Sequence, residues 1–237
     1  MTSTIEMKFY GNVINQLKRS SIPFMVGGGI ALAYYTGIQR ETRDLDLFCK
    51  AGDYPKIISE LSKSKYKVST VDERWLAKIN SGKNYIDIIY GTTSGLCPID
   101  DDWFKHSTEI EFFGLKVNIV PPEELLWCKV YIQDRARFDG ADINHLILKS
   151  GNTIDWKRLL TRLEPHWELL FSCLLNFRFV YPSERNIVPD WIIKELISRL
   201  QNQLKIPIPE EKVCRGKLIS RYQYQIDTKL WGYADIT

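Results

Sequence analysis

Apolar residues recur at helical spacing from about Ile5 to Ser20, where Phe9, Val13, Ile14 and Leu17 share one side. The run IPFMVGG is short, apolar and stopped by glycine, which predicts a strand; IALAYYTG predicts a short helix ended by Gly37. LDLFCK predicts a second strand, and DYPKIISELSKS a helix with Asp53 as its N-cap. Three β-like runs follow, YKVSTV, RWLAKIN and NYIDIIYG, with a turn signal SGKN between the last two. EIEFFGLKVNIV predicts a hairpin around Gly114. The character then changes at Pro121-Pro122. EELLWCKVYIQDRA, DINHLILKS, DWKRLLTRL, HWELLFSCLLNF and DWIIKELISRLQNQL all carry helical spacing. The expected fold class is therefore α+β, a small mixed sheet flanked by helices followed by a helical domain. The expected boundaries are residues 1–120 for the first and 121–237 for the second, with an aromatic tail at its end.

Three acids break the apolar pattern of the strands. Asp46 lies in LDLFCK and Asp44 directly precedes that run, so the two stand one residue apart, and Asp87 sits between Ile86 and Ile88 in NYIDIIY. Alternation along a strand puts Asp44 and Asp46 on one face, roughly 6.5–7 Å apart, with Leu45 and Leu47 on the other. Like charges so close repel and resist burial, and a hard divalent cation removes that cost. If the two strands are neighbours, all three carboxylates converge, a set suited to two metal ions about 3.5–4 Å apart. Gly27, Gly28 and Gly29 lie between a strand and a helix, where bare backbone and a helix N-terminus suit a phosphate chain. Taken singly, each feature has a plain explanation: a common turn, a solvated strand end, an edge residue. The combination in this order is harder to explain as packing.

Composition narrows the classes. Of 237 residues, 44% are hydrophobic and 26% charged, ordinary for a globular chain able to bury a core. A formal net charge of +3 does not imply wholesale nucleic-acid or membrane binding. No apolar run is long enough for a bilayer, and the N-terminus MTSTIEMKFY lacks the apolar core of a signal peptide. The five cysteines are scattered without metal spacing, so free thiols in a reducing cytoplasm are expected. No membrane partner is expected.

VGGGIALAYYTGIQRETRDLDLF followed by YIDIIYG resembles the DNA polymerase beta-like nucleotidyltransferase superfamily, whose pattern is a glycine turn, a short helix, an Asp-x-Asp strand and a later acidic strand. The Gly-x-x-Arg-x-Thr-x-Asp-x-Asp flavour is similar to the aminoglycoside and lincosamide nucleotidyltransferases and to abortive-infection nucleotidyltransferase toxins. The resemblance implies a catalytic metal site of Asp44, Asp46 and Asp87, holding Mg²⁺ or Mn²⁺. It implies nucleotide binding by Gly27, Gly28 and Gly29, with Arg43 or Lys129 adding positive charge and an NTP as co-substrate. PPEELLWCKVYIQDRARFDGADINHLI resembles a segment after the catalytic domain, which puts Lys129 near the phosphates and Arg135, Asp139 and Asp142 around a cleft between the domains. Asp139 and Asp142 as caps of INHLILKS are the plainer alternative.

The implied reaction moves a nucleoside monophosphate to an acceptor hydroxyl and releases pyrophosphate. The acceptor stays open between a small molecule and tRNA; 17 Lys and Arg against 15 Asp and Glu from Pro121 onward argue mildly against a dedicated RNA platform. A toxin acting on tRNA with an antitoxin-like partner, or a non-catalytic nucleotide- or partner-binding module, are the alternatives. The tail CRGKLISRYQYQIDTKLWGYADIT matches none of the drug-modifying enzymes, and an extended segment packing its aromatics on the body is the simpler expectation for it.

Overall fold

The computed structural model describes residues 4–40, 44–64, 66–82 and 84–236. The chain divides into two compact units, Met1–Leu125 and Leu126–Thr237.

The first unit is a seven-stranded mixed sheet with helices. Its elements are α1 (Thr4–Arg19), β1 (Met25–Val26), α2 (Gly28–Thr36), β2 (Asp44–Phe48), α3 (Tyr54–Leu61), β3 (Lys67–Asp72), β4 (Leu76–Ser81), β5 (Asn84–Ile89), α4 (Asp101–Lys105), β6 (Thr108–Phe112) and β7 (Leu115–Ile119). The strand order is β3-β4-β5-β2-β1-β7-β6, which puts β2 at the centre. β2 runs parallel to β5 and β1 parallel to β7, while the remaining neighbours are antiparallel. This is the mixed sheet with flanking helices expected from the hydrophobic pattern. Val13, Ile14 and Leu17 of α1 and Ile57 and Leu61 of α3 are fully buried beside Leu45, Leu47, Ile86 and Ile88. Each of those strand residues alternates with one facing the other side, where Phe48 stacks on the buried Trp103 and Asp44, Asp46 and Asp87 also emerge.

Turn chemistry fixes two boundaries. Gly37 ends α2 in the left-handed conformation at φ 74°, its N–H donating to the Ala33 carbonyl. Phe113 and Gly114 make the β6–β7 turn with φ 53° and 71°.

Two expectations for this unit are corrected. Asp53 precedes α3 but gives no side-chain cap; its carboxylate pairs with Lys56 at 2.8 Å, because its backbone is already helical and turns the side chain away from the first N–H groups. The sequence reading passed over α4, which Asp100 caps by accepting from the N–H groups of Asp102 and Trp103.

The second unit is helical: α6 (Gly140–Ser150), α7 (Trp156–Arg162), α8 (Trp167–Val180) and α9 (Asp190–Gln203), with α5 (Pro122–Lys129) leading into it. Leu146, Ile147, Leu159, Leu163, Leu174, Phe177, Ile192 and Leu196 form its core. The helix expected from Glu123 to Ala136 stops at Lys129. Asp134 ends it: its backbone exchanges hydrogen bonds with Arg137 at 2.9 and 3.1 Å, and its side chain accepts from the Ala136 N–H, so the chain reverses in a tight turn. The tail is also not the extended, packed segment expected. It forms β8 (Val213–Cys214), α10 (Gln225–Lys229) and β9 (Ala234–Asp235), and leaves Tyr222 and Trp231 71% and 56% exposed. Its own short strands pair β8 with β9, and the Ile219 carbonyl accepts from the Gln133 N–H at 3.2 Å.

Candidate active site

The centre of the sheet places the acids. In the parallel pairing of β2 with β5, Asp44 stands opposite Tyr85, Leu45 opposite Ile86, Asp46 opposite Asp87, and Leu47 opposite Ile88. Because both strands alternate in phase, the leucines and isoleucines sink into the core together and the three carboxylates emerge together on the other face. One oxygen from each of Asp44, Asp46 and Asp87 lies within 4.8 Å of the others. Opposite ligands of an octahedral Mg²⁺ stand about 4 Å apart, so small side-chain rotations let this set hold such a cation. The donor chemistry fits as well, since all three are hard carboxylate oxygens.

Asp87 is 9% exposed. Burial pushes its carboxyl above the usual carboxylate range; the Lys78 ammonium opposes that shift and the Asp44 charge adds to it. Lys78 is a residue the sequence reading missed. It lies on β4 directly across from Asp87, with its Nζ 2.8 Å from Oδ1 and 3.2 Å from Oδ2. The signal was present: a hairpin closing on Ser81 and Asn84 pairs every two positions whose numbers sum to 165, Lys78 and Asp87 among them.

The glycine turn abuts the same acids. Met25 and Val26 pair with Phe48 and Leu47, so the chain leaves β1 beside Asp46, where the Gly27 N–H donates to the Asp46 carbonyl at 3.0 Å. Gly28 has φ +52°, and a Cβ there would stand 1.6 Å from Asp46 Oδ2. A Cβ on Gly27 would meet the Phe48 ring at 2.3 Å. Side chains are thus excluded at both positions, and the backbone enters α2 immediately over the carboxylates. Gly29 is the second residue of α2. The helix offers its first N–H groups, with their partial positive charge, beside the acid cluster.

Arg43 falls outside the described residues. Lys129 belongs to the second unit, where its buried ammonium pairs with Asp139 at 2.6 Å and Asp142 at 2.8 Å. Asp139 occupies the N-cap position of α6 without making a side-chain cap, and Arg137 also binds it, at 3.0 Å. Arg135 is exposed.

The aminoglycoside-2''-adenylyltransferase family model matches residues 11–95, a segment spanning the glycine turn and all three acids. No curated protein matches the sequence. Among solved structures, an antigenic nucleotidyltransferase-like protein from Paracoccidioides brasiliensis is 19% identical, covering 78% of this chain and 93% of its own, with a TM-score of 0.50. A lincosamide antibiotic adenylyltransferase with lincomycin bound is 22% identical, covering 62% of this chain and 98% of its own, with a TM-score of 0.43. Antibiotic-resistance factor ANT(2'')-Ia, in a solution structure, is 16% identical over 77% of this chain and 96% of its own, with a TM-score of 0.44. Residues 11–95, which bear the glycine turn and the three convergent carboxylates, are thus the segment similar to the aminoglycoside-2''-adenylyltransferase family, and the fold around them is that of the nucleotidyltransferases.

Proposed function

We propose that this protein is a metal-dependent nucleotidyltransferase that moves a nucleoside monophosphate, with AMP from ATP as first choice, onto a hydroxyl of a small polyhydroxylated molecule. The observation that carries the reading is the in-register placement of Asp46 and Asp87 on parallel strands, with Asp44 on the same face. The matched family is named for adenylyl transfer to an aminoglycoside hydroxyl, which favours a small acceptor over tRNA. The cytoplasmic setting expected from the free cysteines is kept as part of this reading. Among the described residues no helix is long and apolar enough to cross a membrane.

In this reading Asp44, Asp46 and Asp87 hold Mg²⁺ or Mn²⁺. The cation, when bound, neutralises charge developing on the transferred phosphoryl group and its leaving oxygen. The backbone of Gly27, Gly28 and Gly29 and the start of α2 receive the triphosphate. The acceptor oxygen attacks the α-phosphorus as the bond to the β-phosphate oxygen breaks. Pyrophosphate leaves, and Asp87 accepts the hydroxyl's proton. Such catalysis is positioning and charge stabilisation throughout. A role for Lys129 at the phosphates requires its ammonium to leave Asp139 and Asp142.

The test is incubation with each α-³²P-labelled NTP, Mg²⁺ or Mn²⁺, and separate acceptor pools of aminoglycosides, lincosamides and tRNA, beside Asp44→Ala/Asp46→Ala. Label on a small molecule with the intact pair alone supports the reading. Label on tRNA redirects it to the toxin alternative, and no transfer together with no metal-dependent NTP binding leaves a non-catalytic module.

A further inference from the structure

Three features of this molecule invite a role beyond the carboxylates themselves: a small cavity in the second unit beside Asn144, the buried Lys129 cluster, and Lys78. The cavity offers about 100 Å³ and a single buried amide, too little to define a ligand. The Lys129 ammonium is satisfied by its own carboxylates. Lys78 is different, because its charge is placed on a residue of the site.

We infer that Lys78 is the built-in counter-ion of the acidic triad: it holds Asp87 and lowers the triad's charge by one, and so weakens and tunes the binding of the divalent cation. The inference rests on the metal-site reading above. β4 delivers the lysine by register. Ala77 and Ile79 are fully buried on the core face, so the intervening Lys78 must emerge on the face that carries the acids. Its ammonium straddles both Asp87 oxygens, at 2.8 and 3.2 Å, and lies 4.0 Å from the centroid of the Tyr85 ring. Tyr85 is two residues before Asp87 and is the register partner of Asp44. Lys78 is therefore held from two sides, by a carboxylate and by an aromatic face that attracts cations. Without a metal, this arrangement lowers the repulsion among three carboxylates. With one, the same positive charge opposes a second positive charge nearby.

A purely structural cross-strand ion pair would change hairpin stability alone. A counter-ion changes cation affinity, and the sign is opposite to that of a damaged site: removing it tightens binding. The experiment measures Mn²⁺ binding to the full chain without nucleotide, for wild type, Lys78→Met, Lys78→Gln and Lys78→Arg, with Asp44→Asn/Asp46→Asn as control. At a separation of about 5 Å in a water-like dielectric, loss of the lysine charge tightens Mn²⁺ about tenfold. Lys78→Arg, which keeps the charge, stays within about twofold of wild type by the same argument. The gain shrinks in high salt. Unchanged or weaker Mn²⁺ binding in folded Lys78→Met and Lys78→Gln overturns the counter-ion role while leaving the metal site standing. Wild-type binding that is absent, or equal to that of the Asp44→Asn/Asp46→Asn control, overturns the metal site and the counter-ion role together.

Discussion

Asp46 and Asp87 are register partners on the parallel strands β2 and β5, so their carboxylates leave the sheet side by side. Neither acid serves the core, whose packing here is carried by Leu45, Leu47, Ile86 and Ile88 on the opposite face. Asp46→Asn and Asp87→Asn keep side-chain volume and should leave the fold in place. Nucleotidyl transfer should fall by about 10³-fold or more for each, as expected when several kcal/mol of metal-borne charge stabilisation is lost. Transfer assays with urea unfolding in parallel check this. Near-normal turnover in either variant would remove that acid from the site.

Gly28 should be intolerant even of alanine. Its φ of +52° is a left-handed conformation, and the added Cβ would stand 1.6 Å from Asp46 Oδ2. The conformational cost alone is about 1–2 kcal/mol. The clash must then push the Asp46 carboxylate or the start of α2 out of place. Gly28→Ala should therefore lose most activity together with measurable stability, whereas Gly52→Ala, on open surface, should be close to silent. Comparing kcat and Tm for the two variants checks this.

The site's layout was legible because strand periodicity is a local property. Two acids at spacing two, and a third in an apolar β-branched run, need only neighbouring strands to converge, and the β2–β5 pairing supplies that. Lys78 was legible in principle from the hairpin arithmetic, but a lone lysine in RWLAKIN shows no anomaly until its partner is counted across the turn. The end of α5 at Lys129 was hidden, because helical spacing continues through VYIQDRA. What breaks the helix is Asp134 bonding its own downstream backbone, a preference that competes with the helix on nearly equal terms. The tail was hidden for another reason. Its aromatics suggested burial, yet Tyr222 and Trp231 face solvent while Tyr224 lies against Gly216. Composition cannot say which aromatic of such a group finds a contact.

Asp87 gives the metal-free protein a definite pH response. Burial raises its folded-state value above the 3.8 of an unperturbed carboxyl, so between those values the folded state holds more proton than the unfolded one. Its contribution to stability consequently falls as pH rises through that window. Asp87→Asn lacks this term. In EDTA, wild type should lose stability relative to Asp87→Asn as pH is raised from about 3.8. Adding Mg²⁺, which favours the charged carboxylate, should shrink the difference. Urea unfolding across pH with and without Mg²⁺ measures both effects, and parallel pH curves would contradict them.

Lys129 and Asp139 predict the opposite sign in the second unit. Burial raises the Asp139 carboxyl, but Arg137 and Lys129 outweigh it, and its value ends below the usual range. The stability it brings is present above the unfolded carboxyl value of 3.8 and is lost as pH falls through the folded value. Lys129→Met removes the cation shared by Asp139 and Asp142, while Arg137 stays on Asp139. Breaking a buried pair from one side costs roughly 3 kcal/mol or more. The expected result is a large drop in the urea midpoint of the helical unit, partly relieved at low pH where the carboxylates take up protons. A lysine serving the nucleotide phosphates instead would leave the midpoint near wild type and raise KM for the NTP. Measuring both quantities on the one variant decides which work Lys129 does.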